Sequence, residues 1–339
     1  MTPQEDLEYC RAAIRTGSLS FHAASRLLPS RVSDPSLVLY AFCRLADDAV
    51  DEGQDKIKAV LDLATRLDLV YAGRPRNTPV DRCFAELIEA FEMPRALPEA
   101  LLEGLAWDAN CNRYRSLSDV RSYSARVASS VGVMMCVLMG VRDADVLARA
   151  CDLGVAMQLT NIARDVGEDA RAGRLYLPLN WFEDAGIDPD QFLRDPRPTP
   201  EIRSMVDRIL KEAHRLYRRS EPGLGILPLR TRPGIWAARL IYAGIGRAIR
   251  ENGCDSVSLR ARTSKAFKFR CLISAYARSS LGVVVPAPAT LHAASLKETE
   301  FLVDAACGNA RVPGRAEVLI AIMAELKARD SATKRGFVA

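Results

Sequence analysis

The chain has 339 residues, 49% of them hydrophobic, with 47 Lys and Arg against 42 Asp and Glu for a formal charge of +5. That length supports one large domain or two ordinary ones, with ample apolar surface to bury. Charges of both signs are interspersed, and no basic tail or arginine block is present, which argues against a nucleic-acid-binding role.

The N-terminal stretch MTPQEDLEYCRAAIR is acidic and then basic with no apolar core, so it does not read as a signal peptide. Nine cysteines, none in a CxxC pair, read as reduced thiols of a cytoplasmic protein. The three histidines, His22, His214 and His292, are far apart, and no zinc site is expected. Apolar residues recur at three and four positions up to about residue 280, which predicts an all-α chain. Helices are expected near 3–16, 19–28, 34–52, 55–72, 80–91, 98–113, 119–140, 143–170, 200–220, 232–252 and 264–280. Pro- and Gly-rich stretches such as AGRPRNTP, YLPLN, GIDPD and RDPRPTP mark the breaks. Residues 1–282 read as one domain, and 283–339 as a linker with a final amphipathic helix.

On the first of these helices to carry chemistry, TGSLSFHAASRLLP puts Ser18 and Ser20 at an apparent helix start, where free N–H groups and hydroxyls favour a phosphate. Next comes YAFCRLADDAVDEG, with Asp47 and Asp51 one turn apart, Asp48 beside them and Arg44 one turn before Asp48. Two carboxylates ~6 Å apart in a partly buried cleft repel by about 3 kcal/mol at an effective dielectric near 20. A divalent cation reverses the sign, and an oxygen-only ligand set suits Mg²⁺, with Mn²⁺ as its substitute. The run VASSVGVMMCVLMGV, Val127 to Val141, is short for a membrane span, and its small residues suit a helix packed on all sides.

A second acidic face follows in QLTNIARDVGEDARAGRLYLP, where Asn161, Asp165 and Asp169 fall at i, i+4 and i+8 with Arg164 adjacent. Two such clusters, each in an otherwise apolar helix and each with an arginine, describe a diphosphate clamp: carboxylates hold metal, and metal and guanidinium hold phosphate oxygens. Farther on, RTSKAFKFRCLISAYARSS is basic and amphipathic, read either as a solvated face or as a contact with anionic lipid.

The segments SLSF, YAFCRLADDAVD, YSARVASSVG and QLTNIARDVGEDARAGRLYLP together resemble the squalene/phytoene synthase family over about residues 7–280. The resemblance implies an isoprenoid-synthase helical bundle with two Asp-rich helices facing each other across a deep apolar cavity. It implies metal binding by Asp47, Asp48, Asp51, Asn161, Asp165 and Asp169, and diphosphate binding by Ser18, Ser20, Arg44, Gln158, Asn161 and Arg164. It also implies catalytic roles for Tyr40, Arg44, Tyr123, Arg164 and Tyr242. The chain departs from the family pattern where Tyr123-Ser124-Ala125 replaces Tyr-Cys-Tyr, and where Leu19 separates the two serines.

The expected reaction is head-to-head condensation of two prenyl diphosphates of C20 length through a cyclopropyl intermediate, giving phytoene. Small Ser25, one turn beyond Phe21, leaves room for the longer chain. With no GxGxxG after a strand, no NADPH is expected. The competing readings are a squalene or dehydrosqualene synthase acting on farnesyl diphosphate, an elongating prenyltransferase or terpene cyclase, and a non-catalytic helical subunit. A hydrocarbon product suggests peripheral membrane contact. The oligomeric state is open.

Overall fold

The computed structural model describes residues 3–17, 27–51, 55–281 and 288–308. Ser18, Ser20, Phe21 and Ser25 lie outside the described residues, as do the side chain of Asp51 and the expected helix near the C-terminus. Among the described residues every regular element is helical. In chain order these are α1 (Pro3–Gly17), α2 (Ser30–Asp51), α3 (Lys56–Tyr71), α4 (Pro79–Phe91), α5 (Ala96–Ala109), α6 (Leu117–Ser124), α7 (Ser130–Leu138), α8 (Ala144–Arg171), α9 (Leu179–Ala185), α10 (Pro189–Arg194), α11 (Pro200–Leu224), α12 (Arg232–Glu251), α13 (Lys265–Leu281) and α14 (Glu300–Ala306). No helix among them is long and apolar enough to cross a membrane.

Local chemistry sets the boundaries. Thr78 and Thr199 cap α4 and α11, each followed by a proline in the first turn whose missing N–H has no intrahelical partner to lose. Ser116 and Asp119 cap α6 reciprocally, and the Asp143 carboxylate accepts from Val146 N at 3.0 Å to open α8. The short helices α9 and α10 occupy stretches that read in the sequence as breaks. The prolines before and within their first turns start helices here, and Gly186 at φ 65° stops α9.

α8 is the central rod. It packs along α11 on one side and against α6, α7 and α12 on others, so its Val155, Leu159 and Ala163 are fully buried. Two of its glycines are contact points. A Cβ on Gly154 would sit 2.6 Å from Ser129 Cα, and one on Gly167 would sit 2.4 Å from the Val257 carbonyl oxygen. At Gly167 the approach is reinforced by its N–H donating to Ser256 O at 2.9 Å, which pins the loop after α12 onto α8. Gly167→Ala should therefore force that loop away and lower unfolding stability by about 1–3 kcal/mol. Chemical denaturation of the variant measures this, and an unchanged midpoint would refute the tight approach.

The segment from 288 to 308 docks on the bundle. Arg149, fully buried, pairs with Asp152 at 2.7 Å and donates to Leu291 O at 3.1 Å. Arg142 reaches Ala306 O at 3.1 Å, while Leu302 and Ala306 are fully buried. A buried guanidinium is tolerated only when paired and hydrogen-bonded, so these contacts tie the segment to α8.

Candidate active site

On α2, Tyr40, Arg44 and Asp47 fall at i, i+4 and i+7 and line a cavity of about 260 Å³. The Asp48 carboxylate turns back onto Arg44, 2.7 Å from its guanidinium. Across the cavity stand Asp108 of α5, Tyr123 of α6 and Gln158 of α8. Val127, Val131 and Gln158 also line a second, more apolar cavity of about 300 Å³, walled by residues such as Met135, Met139, Leu153, Leu227 and Ile235. The two spaces meet at those shared residues, with a polar end toward α2 and an apolar depth between α7, α8 and α12.

The shared wall is not ordinary helix. Between α6 and α7 the backbone makes a π-helical turn, Ala125–Ser129, closed by Ser130 N–H to Ala125 O. The Ser129 hydroxyl donates to Cys151 O at 2.8 Å, across the close contact that Gly154 permits. Val127, inside the π turn, and Val131, just after it, both line the shared wall.

The second acidic face lies on α8. Arg164 Nε donates to Asp165 Oδ1 at 2.9 Å, and Arg260 Nε reaches the same oxygen at 2.9 Å from the loop that Gly167 admits. Arg260 also pairs with Glu168 at 3.0 Å, and Arg174 lies 3.5 Å from Asp169. Burial pushes the Asp169 carboxyl up to about 7; Arg174 opposes the rise, and Asp165, Asp108 and Glu168 add to it. The folded chain therefore favours the protonated acid. That contribution to stability is whole below the ordinary value of 3.8 and is lost as pH rises through about 7. Denaturant unfolding of the metal-free chain should show stability falling over that window, and Asp169→Asn should flatten the fall. An equal slope in the variant would assign the pH dependence elsewhere.

Whether this face fits a divalent cation is answered by its donor set. Among the described residues no three carboxylate, imidazole or thiol side chains converge on one ion-sized point, because the acids turn onto arginines. The Asn161 side chain donates to Gln158 Oε1 at 3.3 Å, yet its own Oδ1 is buried without a partner. A buried acceptor with no donor, followed at i+4 and i+8 by two carboxylates, the second of them raised chiefly by burial, is the environment a hard cation relieves. Asn161, Asp165 and Asp169 fit it.

The aromatic part of the site departs from the sequence reading in a productive way. Asp108 accepts from both the Tyr123 and Tyr176 hydroxyls, each at 2.7 Å. Tyr114, Tyr123 and Tyr176 lie with ring centroids 5.1–6.0 Å apart. Burial first, and then the Asp108 charge, holds the Tyr123 and Tyr176 hydroxyls protonated well above the usual phenol range. Tyr176, inside the quoted GRLYLP, supplies a second site tyrosine after the Tyr-Cys-Tyr pattern is lost. Asp108, Arg174 and Arg260 were not anticipated. Tyr242 of α12 lines the apolar cavity beside Asn161, and burial raises its hydroxyl pKa. A separate cavity of about 430 Å³, lined by His214, Arg239, Arg247 and Arg270, lies on the other face of α12 and includes none of the acidic motif residues.

A family model described as squalene/phytoene synthase matches residues 14–267. The phytoene synthase of Cereibacter sphaeroides is 58% identical, over 99% of this chain and 97% of that protein. The phytoene synthase of Rhodobacter capsulatus is 55% identical, over 97% of this chain and 98% of its own length. Among solved structures, a dehydrosqualene synthase in complex with ligand is similar with a TM-score of 0.75 at 29% identity, covering 82% of this chain and 98% of that one.

Proposed function

The chain belongs to the squalene/phytoene synthase family, and we propose that it condenses two molecules of geranylgeranyl diphosphate head to head into phytoene, releasing two diphosphates. The observation that carries the C20 reading is cavity depth. Its lining runs along α8 from Val146 to Asn161, roughly 22 Å at 1.5 Å per residue. An extended four-isoprene tail is roughly 20 Å long at carbon–carbon bond lengths near 1.5 Å. The acidic face and its arginines stand at the Asn161 end, so a tail laid in the cavity leaves its diphosphate among them.

Asn161, Asp165 and Asp169 would hold Mg²⁺ on one side, with Asp47, Asp48 and Asp51 on the other. Bound there, the metal supplies charge that stabilises the departing diphosphate. The protein does the rest. Arg44, Arg164, Arg174 and Arg260 are each held by a carboxylate, and a guanidinium with five donors has N–H groups left for phosphate oxygens. The allylic C–O bond of one substrate breaks, and its electron pair leaves with the diphosphate. The double bond of the second substrate attacks the allyl cation, and loss of a proton closes a cyclopropane that keeps one diphosphate. A second ionisation rearranges this ring, and a final proton loss gives the hydrocarbon.

Each cation forms beside the Tyr123 ring, whose electron-rich face, with Asp108 bonded to its hydroxyl, favours positive charge. The apolar walls from Val127 to Leu227 keep water from the cation. The test is to incubate the purified chain with geranylgeranyl or farnesyl diphosphate, with Mg²⁺ or with chelator, and with or without NADPH. Extracted hydrocarbons are identified by mass. Metal-dependent phytoene from the C20 substrate, independent of NADPH, is expected. A C30 product formed only from farnesyl diphosphate would overturn the chain length, and a need for NADPH would overturn the hydride-free ending.

A further inference from the structure

The large exposed apolar side chains of the described residues are not scattered evenly. Leu259, Phe269, Ile273 and Tyr276, each 52–64% exposed, fall within one short stretch. Phe269, Ile273 and Tyr276 are spaced i, i+4 and i+7 and so share one face of α13. The opposite face, with Cys271, Ala275 and Ser279, is buried against the bundle. The helix therefore has two apolar faces, one packed on α12 and one turned to solvent.

Charge points to what covers the outer face. From Leu259 to Leu281 the chain carries Arg260, Arg262, Lys265, Lys268, Arg270 and Arg278 and no acidic residue at all. Lys265 lies one turn before Phe269 and Arg270 directly after it, so cations border the apolar stripe on both edges. A protruding apolar stripe rimmed by lysine and arginine complements an anionic lipid surface, with the rings entering the acyl boundary and the cations remaining among the headgroups.

The same stretch touches the active site. Arg260, next to exposed Leu259, pairs with Asp165 and Glu168, and the loop before it is pinned to Gly167. α13 packs on α12, whose Ile235 and Tyr242 line the apolar cavity. One helix thickness, about 10 Å, separates the stripe from that cavity.

We propose that the outer face of α13, with Leu259, docks this protein on anionic phospholipid bilayers and holds the cavity at the membrane surface. The inference deepens the proposed function and rests on it for its purpose, since a C40 hydrocarbon product partitions into lipid. The test uses the full chain with vesicles of phosphatidylcholine alone and of phosphatidylcholine with one third phosphatidylglycerol, at low and physiological salt. Co-sedimentation should show binding to the anionic vesicles that weakens with salt. Phe269→Ser with Ile273→Ser, and separately Arg262→Glu with Lys265→Glu, should each lower that binding about tenfold or more.

Both pairs are solvent-facing, and turnover of geranylgeranyl diphosphate in detergent should be unchanged in each. No binding by the parent chain, or equal binding by the variants, overturns the docking face. A parent chain that self-associates without lipid through this stripe, and separates in the Phe269/Ile273 variant, overturns it in favour of an interface between copies. The detergent assay reads catalysis independently, so a chain that turns over substrate yet ignores vesicles fails this inference alone.

Discussion

Asp165→Asn is expected to lower turnover by about a thousandfold or more while leaving the fold intact. The substitution keeps size and shape but removes the charge that two arginines share. Arg164 and Arg260 both bond Asp165 Oδ1 at 2.9 Å. In the variant those guanidiniums face each other across a neutral amide, and the acidic face keeps an oxygen at its middle position but loses one of its two carboxylate charges. Steady-state product formation measures the loss, with thermal unfolding as the control for folding. Activity within tenfold of the parent would remove Asp165 from the diphosphate clamp. Because the Asp165 side chain is only 15% exposed, losing its charge also costs stability, and the unfolding control separates that cost from the catalytic loss.

Asp108→Asn is the second large effect, expected to reduce turnover about a hundredfold. The two tyrosine hydroxyls donate to different oxygens of the carboxylate, each at 2.7 Å, so an amide sets an NH2 donor against one of them, and it removes the negative charge bonded to the Tyr123 hydroxyl. Two further variants separate packing from electrostatics. Tyr176→Phe leaves the charge in place and removes one hydrogen bond, so it should cost about 1–2 kcal/mol of unfolding stability and only a few-fold in rate. Asp108→Ala leaves two buried hydroxyls without an acceptor and should unfold more readily than either. If Asp108→Asn loses stability but keeps its rate within about threefold, the carboxylate holds the aromatic cluster together and does no more.

Much of this was legible from residue order, for a physical reason that particular elements illustrate. The helix expected at 143–170 is found at Ala144–Arg171, and that expected at 232–252 at Arg232–Glu251. Their apolar periodicity and caps are local properties of the chain. The acidic faces were legible too, since i, i+4 spacing alone puts Asn161, Asp165 and Asp169 together, and Tyr40 with Arg44. Short α9 and α10 were not, because their prolines signal a helix start as readily as a break, and six or seven residues carry too little periodicity to choose.

The sequence by itself thus determined the all-helical class, the two acidic helices and the family to which the chain belongs, all carried by motifs read within a few turns. Tertiary structure alone decided which groups meet. Asp108 looks like any aspartate near a helix end until α5, α6 and the segment after α8 bring it between Tyr123 and Tyr176. Arg260, 95 positions from Asp165, becomes part of the acidic face only because Gly167 lets a loop approach within bonding distance. Ser129, in the π turn, likewise reaches Cys151 O across the close approach that Gly154 permits. Such contacts depend on packing between elements distant along the chain, and no local spacing encodes them.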